Sequence, residues 1–182
     1  MSPGDTLTRA EVLKLSLGAS ANNATAALVR TSGLTREAFI KKMNEKAKAL
    51  GIEAHFGDAI GLDLENVSNV AGVARLLTEA VKIPEIRQAT TMAKITVKPE
   101  GGDAYTADNT NELLGTFLDQ APYEIIGGKT GFIDESGYCL AQTVRSGGHD
   151  INIVVLGAKE HAFRFQEVKS LAVWAFDVFR WE

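Results

Sequence analysis

The spacing of apolar residues changes once along the 182-residue chain, and this change constrains the fold more than any other feature. Residues 8–90 carry apolar side chains at the three- and four-residue spacing of amphipathic helices. From about residue 92 the pattern becomes that of strands. We therefore expect an α+β fold with segregated layers, in which 8–90 form a helical lobe and 91–182 form a sheet plus a C-terminal helix.

Local signals predict where the helices begin and end. Thr8 and Glu11 have the spacing of a capping box at the start of a short helix. Gly51 should end a second helix, because glycine adopts the conformation that closes a last turn. Ser68 is a candidate N-cap, and Pro84 suits the first turn of a further helix.

Four segments in the second half predict strands. Residues 92–98 form one, and 124–132, 138–145 and 151–157 are joined by loops too short for a parallel crossover. These three strands should form an antiparallel meander. The apolar face of residues 168–179 predicts a helix that covers this sheet.

Composition excludes several classes of function. The net charge is −4 without a block of like charge, so no nucleic-acid partner is expected. No apolar run reaches the ~18 residues of a membrane span, and residues 1–30 lack the pattern of a signal peptide. The three histidines show no metal-ligand spacing, and the single cysteine, Cys139, is expected to be a buried structural thiol. Neither a metal nor a cofactor is therefore expected.

Two glycine-containing segments imitate known motifs without completing them. Residues 127–131 read Gly-Gly-Lys-Thr-Gly, but a phosphate-binding loop needs glycine where Tyr123 stands and a helix after it. A nucleophile elbow at residues 18–22 needs glycine where Asn22 stands. It also needs a strand before residue 18, where the sequence predicts a helix. Nucleotide binding and α/β-hydrolase chemistry are therefore disfavoured.

Two short motifs carry more information together than either does alone. Ser20-Ala-Asn22 lies at a predicted helix-to-helix junction, and Lys129-Thr130-Gly131 begins 107 residues after it on a predicted strand. In this order they resemble the second and third motifs of the penicillin-recognising serine acyl transferases. Flanking segments make the chain similar to the D-alanyl-D-alanine carboxypeptidase branch, peptidase S11, over nearly its whole length; these are residues 6–13, 43–51, 55–63, 109–114 and 129–140.

The resemblance implies a β-lactamase/transpeptidase-like fold and acyl-enzyme chemistry. In that family a serine attacks the penultimate carbonyl of a peptidoglycan stem peptide ending in D-Ala-D-Ala; D-Ala leaves, and water hydrolyses the acyl-enzyme. A β-lactam is the other ligand class implied. Family members act outside the cytoplasmic membrane, so the resemblance also implies an extracytoplasmic location, either periplasmic or on the cell-wall side.

By the same resemblance, the predicted strand would bind the substrate. Lys129 would supply positive charge, and Thr130 would hydrogen-bond the terminal carboxylate. Gly131 would let the strand backbone approach the substrate, which a side chain would hinder. The backbone N–H of Phe132 would be one of two donors to the oxyanion.

The first motif of the family, Ser-x-x-Lys, is absent from these 182 residues. No serine has a lysine three positions later, and Thr91 with Lys94 lies after Ser20 in a strand-like run. That motif carries the nucleophile and its base.

The resemblance also implies roles for the second motif. Ser20 would relay a proton to the leaving amine, and Asn22 would hold the substrate amide and the neighbouring lysine.

We therefore expect an N-terminally truncated domain that lacks the first strands and the central helix. A separately encoded N-terminal segment would complete it, and the chain alone would be inactive, and marginally stable or self-associating. Two other functions stay open. One is a non-catalytic protein that binds muropeptides or β-lactams, and the other is a stand-alone enzyme with Ser20 as nucleophile and Lys129 as base.

Overall fold

The computed structural model describes residues 4–181 and has the predicted α+β architecture. The helices are α1 (Arg9–Leu17), α2 (Asn22–Arg30), α3 (Arg36–Ala49), α4 (Val70–Ala80), α5 (Pro84–Thr91) and α6 (His161–Val178), with a 3-10 turn at Phe117–Asp119. The strands are β1 (Ala54–His55), β2 (Val67–Ser68), β3 (Lys94–Val97), β4 (Tyr105–Asp108), β5 (Tyr123–Ile133), β6 (Gly137–Ser146) and β7 (His149–Ala158).

Side-chain caps begin three of the helices, α1, α3 and α4, and one of the predicted caps needs correction. The Thr8 hydroxyl accepts from the Glu11 N–H, and the Glu11 carboxylate accepts from the Thr8 N–H at 2.9 Å, so the predicted capping box is confirmed. The prediction of Ser68 as a cap was wrong. Asn69 caps α4, while Ser68 belongs to β2 and its hydroxyl donates to the carbonyl oxygen of Glu53 at 2.7 Å.

The main sheet is the predicted antiparallel meander, in the order β5-β6-β7. Thr130 on β5 pairs with Leu140 on β6, and Leu140 pairs in turn with Val155 on β7. A register shift between Ile125 and Gly127 marks a bulge just before the Lys-Thr-Gly segment. Within residues 4–181, β5 and β7 are the two edges of this sheet.

Two small hairpins stand apart from the main sheet. β3 pairs with β4, so the strand predicted over 92–98 exists but does not join the meander. β1 pairs with β2 inside the mainly helical half. The sequence analysis did not anticipate β1, β2 or β4. Two residues are too few to show a period, and β4, unlike β3, has no alternation of buried and exposed residues.

Helix α6 covers one face of the sheet, as predicted. Its buried residues Phe165, Val168 and Ala172 pack against Leu140 and Val144 of β6 in the main hydrophobic core. A second cluster beneath α1 and β3 consists of Leu15, Ala24, Ile95 and Val97. In the described part of the chain, no helix is both long enough and apolar enough to cross a lipid bilayer.

Candidate active site

The two motifs singled out in the sequence meet in space. The Lys129 ammonium donates to the Ser20 hydroxyl at 2.7 Å and to the Thr130 carbonyl oxygen at 2.8 Å. Both acceptors are uncharged, so these hydrogen bonds orient the ammonium without neutralising it. Ser20 and Lys129 therefore form one polar site between the α1–α2 turn and strand β5.

The turn that carries Ser20 is strained and tightly packed. Ser20 has a φ of 54°, in the left-handed region that a residue with a side chain rarely adopts. Two residues earlier, a Cβ on Gly18 would lie 2.7 Å from Ile95 Cδ1 and 2.8 Å from the Ala89 carbonyl oxygen. Close packing at Gly18 and the left-handed backbone at Ser20 therefore restrain the turn after α1, and the Ser20 hydroxyl reaches Lys129 of β5.

The glycine pair before Lys129 serves packing. A Cβ on Gly127 would lie 2.9 Å from Val81 Cγ1, and one on Gly128 would lie 2.5 Å from Gln142 Oε1. Strand β5 can press against α4, α5 and β6 only without side chains here. The same two glycines gave the segment its superficial likeness to a phosphate-binding loop.

Burial lowers the pKa of Lys129 to about 8, and the nearby Arg164 guanidinium contributes in the same direction. Both effects disfavour the charged ammonium, since it loses hydration and faces another cation. A half-buried lysine in this state attracts an anion strongly. It also titrates close to physiological pH, as groups at functional sites often do.

Thr130 and Gly131 continue the strand beyond the lysine. The Thr130 side chain is buried, and its hydroxyl oxygen lies 2.6 Å from that of Thr110. Gly131 is exposed, and a Cβ there would meet only Cys139 Cβ, at an ordinary contact distance of 3.6 Å. The chain itself therefore does not require glycine at 131, and the space in front of it is open to a ligand.

The other two predicted site residues lie at the margin of this site. Asn22 is the first residue of α2 and is exposed, and within residues 4–181 its side chain makes no hydrogen bond. Phe132 is 49% exposed, and its ring stacks on Tyr138 with centroids 4.2 Å apart. The structure thus brings together Ser20, Lys129, Thr130 and Gly131, while Asn22 stays outside their hydrogen bonds.

Sequence reasoning missed the role of Arg164 on α6. Its Nη1 donates to the Gly131 carbonyl oxygen at 3.1 Å, and its guanidinium lies 5.3 Å from the Tyr138 ring centroid and 4.7 Å from that of Phe165. The residue is only 5% exposed. A single arginine within an otherwise apolar helix face was the available signal.

A cavity of about 540 Å³ extends to Cys139, the residue that pairs with Gly131 across β5 and β6. Its walls include four apolar side chains, which are Met43 of α3, Phe56, Val73 of α4 and Leu156 of β7. Cys139 also lines it. Cys139 is half-buried. The expectation that the Cys139 thiol is buried was therefore wrong, because residue 139 faces this cavity and Gly131 rather than the core under α6.

Comparison with known protein families and sequences gives a consistent result. The family described as D-alanyl-D-alanine carboxypeptidase, peptidase S11, matches residues 1–160. A D-alanyl-D-alanine endopeptidase of Pseudomonas aeruginosa is 33% identical over 174 residues, covering 94% of this chain and 54% of that protein. The D-alanyl-D-alanine carboxypeptidase DacF of Bacillus subtilis is 30% identical, with 97% and 44% covered. The chain therefore spans about half the length of the curated relatives it matches.

Solved structures agree with this result. A DD-transpeptidase from Streptomyces superposes with a TM-score of 0.84 at 28% identity, covering 98% of this chain and 71% of that one. A penicillin-binding protein from Listeria monocytogenes in its ampicillin-bound form has a TM-score of 0.78 at 31% identity, with 93% and 68% covered. The fold around the Ser20–Lys129 site is thus shared with these proteins.

Proposed function

Because this chain belongs to the peptidase S11 family of D-alanyl-D-alanine carboxypeptidases, we propose that it forms part of a serine-type carboxypeptidase acting on peptidoglycan stem peptides. The observation that carries this proposal is the 2.7 Å contact between Lys129 Nζ and Ser20 Oγ. Residues 8–90 and 91–182 would be two lobes of one transpeptidase-like domain, with the reaction taking place outside the cytoplasmic membrane, where the substrate lies.

The substrate would bind along β5. This strand is an edge of the main sheet in residues 4–181, so an extended peptide can add to it through backbone hydrogen bonds. The charge of Lys129 and the hydroxyl of Thr130 would meet the terminal carboxylate of D-Ala-D-Ala, while the open space at Gly131 admits the peptide backbone. The Phe132 N–H would donate to the oxyanion, and Asn22 would hold a substrate amide.

The chemistry proposed is acyl transfer to a serine, followed by hydrolysis. The serine oxygen of a Ser-x-x-Lys motif bonds to the penultimate carbonyl carbon and gives its proton to the motif lysine. The C–N bond to the last residue then breaks, and Ser20 passes its proton to the leaving nitrogen while receiving one from that lysine. Water next attacks the ester, releasing the shortened peptide and restoring the serine.

These 182 residues contain no Ser-x-x-Lys, so in this proposal a separately encoded N-terminal segment supplies the nucleophile. We therefore expect no acylation by this chain alone. Incubation with a fluorescent penicillin, with and without a segment carrying Ser-x-x-Lys from an adjacent reading frame, tests this. Labelling of the mixture only, lost in Lys129→Met, supports the proposal.

Other results would favour the remaining functions. Reversible β-lactam or muropeptide binding that depends on Lys129, with no labelling in either sample, indicates a non-catalytic binding protein. The missing nucleophile motif is the observation that keeps this second function open. Penicillin attached to Ser20 in the chain alone, detected by mass spectrometry, would show that Ser20 is itself the nucleophile.

A further inference from the structure

Thr110 contacts both sides of the proposed substrate groove. Its backbone N–H donates to the Gly18 carbonyl oxygen at 3.0 Å, in the turn that leads to Ser20. Its hydroxyl oxygen lies 2.6 Å from that of Thr130, next to Lys129 on β5. One residue thus links the two elements that carry the site.

Hydrogen bonds on either side hold Thr110 in place. The Asn109 side chain donates to the Met92 carbonyl oxygen at 2.9 Å and accepts from the Asn111 N–H at 2.9 Å. The Asn111 amide donates to Gln142 Oε1 at 2.7 Å, and these two side chains are only 3% and 0% exposed. The backbone at Thr110 is therefore fixed by buried, satisfied polar groups.

The pair of hydroxyls has two alternative arrangements. If Thr130 donates to Thr110, the Thr130 proton is used and cannot reach a ligand. If Thr110 donates instead, the Thr130 proton is free. An ionised carboxylate only accepts hydrogen bonds, so a carboxylate at Thr130 requires the second arrangement.

We infer that Thr110 is a positioning residue for carboxylate recognition: its hydroxyl donates to Thr130 and directs the Thr130 proton into the groove. The inference rests on the proposed function, since it assumes a D-Ala-D-Ala carboxylate at Thr130. A C-terminal amide carries both donors and an acceptor, and it pairs with either arrangement. Thr110 therefore contributes to the preference for a free carboxylate over an amide.

Reversible binding to the full 182-residue chain tests this inference. The probes are a peptide ending in D-Ala-D-Ala and the same peptide with a C-terminal amide, measured by calorimetry or NMR titration. Thr110→Val should weaken binding of the carboxylate peptide roughly fivefold, because it removes the hydrogen bond that orients and polarises the Thr130 hydroxyl toward the carboxylate, and should weaken the amide much less. Thr110→Ser keeps the hydroxyl and should restore the preference.

A matched control exists in the β3–β4 hairpin. Thr96 and Thr106 form a similar but exposed hydroxyl pair at 2.9 Å in a separate sheet, so Thr106→Val should leave both affinities unchanged. Thr110→Ala provides a second measurement if the valine variant does not fold. Equal weakening of both peptides, no weakening, or failure of the serine variant to rescue overturns the inference alone. Failure of the wild-type chain to bind either peptide overturns the proposed function, and the inference with it.

Discussion

Arg164 on α6 donates through Nη1 to the carbonyl oxygen of Gly131 on β5, at 3.1 Å. This hydrogen bond holds the positively charged guanidinium of α6 next to the strand that carries Lys129. The bond restrains the strand where the substrate would lie, and the guanidinium also lowers the pKa of Lys129. Arg164 therefore affects both the geometry and the charge of the site.

Removing this charge should raise the pKa of Lys129. In Arg164→Met the repulsion is lost, although burial, the larger cause, remains. NMR titration of the labelled lysine side chain should show a midpoint near 8 in the wild-type chain and a higher one in this variant. Arg164→Lys, which keeps a positive charge, should titrate close to the wild-type chain. An unchanged midpoint in Arg164→Met would exclude the electrostatic effect.

Lys129 should destabilise the fold at neutral pH. Its folded pKa of about 8 lies below the ordinary value of 10.5, so the folded state binds the proton more weakly than the unfolded one. The penalty is fully present below pH 8 and is relieved as the pH rises from 8 to 10.5. Urea unfolding at pH 7 should find Lys129→Met more stable by about 1–3 kcal/mol, with a smaller difference at pH 9.5.

Affinity for an anionic ligand should fall as the pH rises, whereas the stability of the fold should increase. Above pH 8 the Lys129 ammonium loses its proton, so affinity for a D-Ala-D-Ala carboxylate should fall, while Lys129→Met should bind weakly and without this dependence. A wild-type affinity that stays constant from pH 6 to about 9.5 would contradict the assignment of Lys129 as the anion-binding charge.

Alanine substitutions at two glycines of β5 should change the stability of the fold by different amounts. A Cβ on Gly128 would lie 2.5 Å from Gln142 Oε1 and 2.8 Å from the Ala141 carbonyl oxygen, so Gly128→Ala should cost more than about 2 kcal/mol of folding free energy. Gly131→Ala makes one ordinary contact and should change stability by under about 0.5 kcal/mol. It should nevertheless weaken peptide binding, because the methyl group enters the groove. Comparable losses of stability in the two variants would contradict this distinction.

The sequence predicted most of the secondary structure because its long elements carry strong signals. The helices, the three-stranded meander and its covering helix follow from apolar spacing and from markers such as Pro84 and Gly51. The Ser68 cap was wrong, since Asn69 carries the same capping chemistry one position later. β1 and β2 escaped prediction because two residues show no period.

The site was predictable only in part. Ser20 and Lys129 were identified through a motif resemblance, since no local rule connects residues so far apart in sequence. The left-handed backbone of Ser20 depends on tertiary packing, which composition and spacing do not reveal. Spacing places Arg164 on an apolar helix face, but its hydrogen bond to Gly131 also depends on packing. The contact between Thr110 and Thr130 was equally hidden, although the Asn-Thr-Asn segment was noted for its resemblance.

The strain at Ser20 should appear as a difference between two truncations. Ser20→Ala and Ser20→Gly both remove the hydroxyl that accepts from Lys129, but only alanine keeps a Cβ at a φ of 54°. The glycine variant should be more stable by about 1 kcal/mol in urea unfolding, and the two should lose ligand binding equally. An alanine variant at least as stable as the glycine variant would show that the backbone there carries no strain.

Self-association should involve the groove between β7 and α6. β7 is an edge strand in residues 4–181, and the groove is lined by Ile151, Leu171 and Trp174, the last of which is 52% exposed. An open strand edge beside exposed apolar side chains favours association. Analytical ultracentrifugation should show concentration-dependent oligomers that Trp174→Gln weakens. Phe163→Gln changes an exposed aromatic residue of the same helix outside the groove and should have no effect. A monomer at every concentration would refute this prediction.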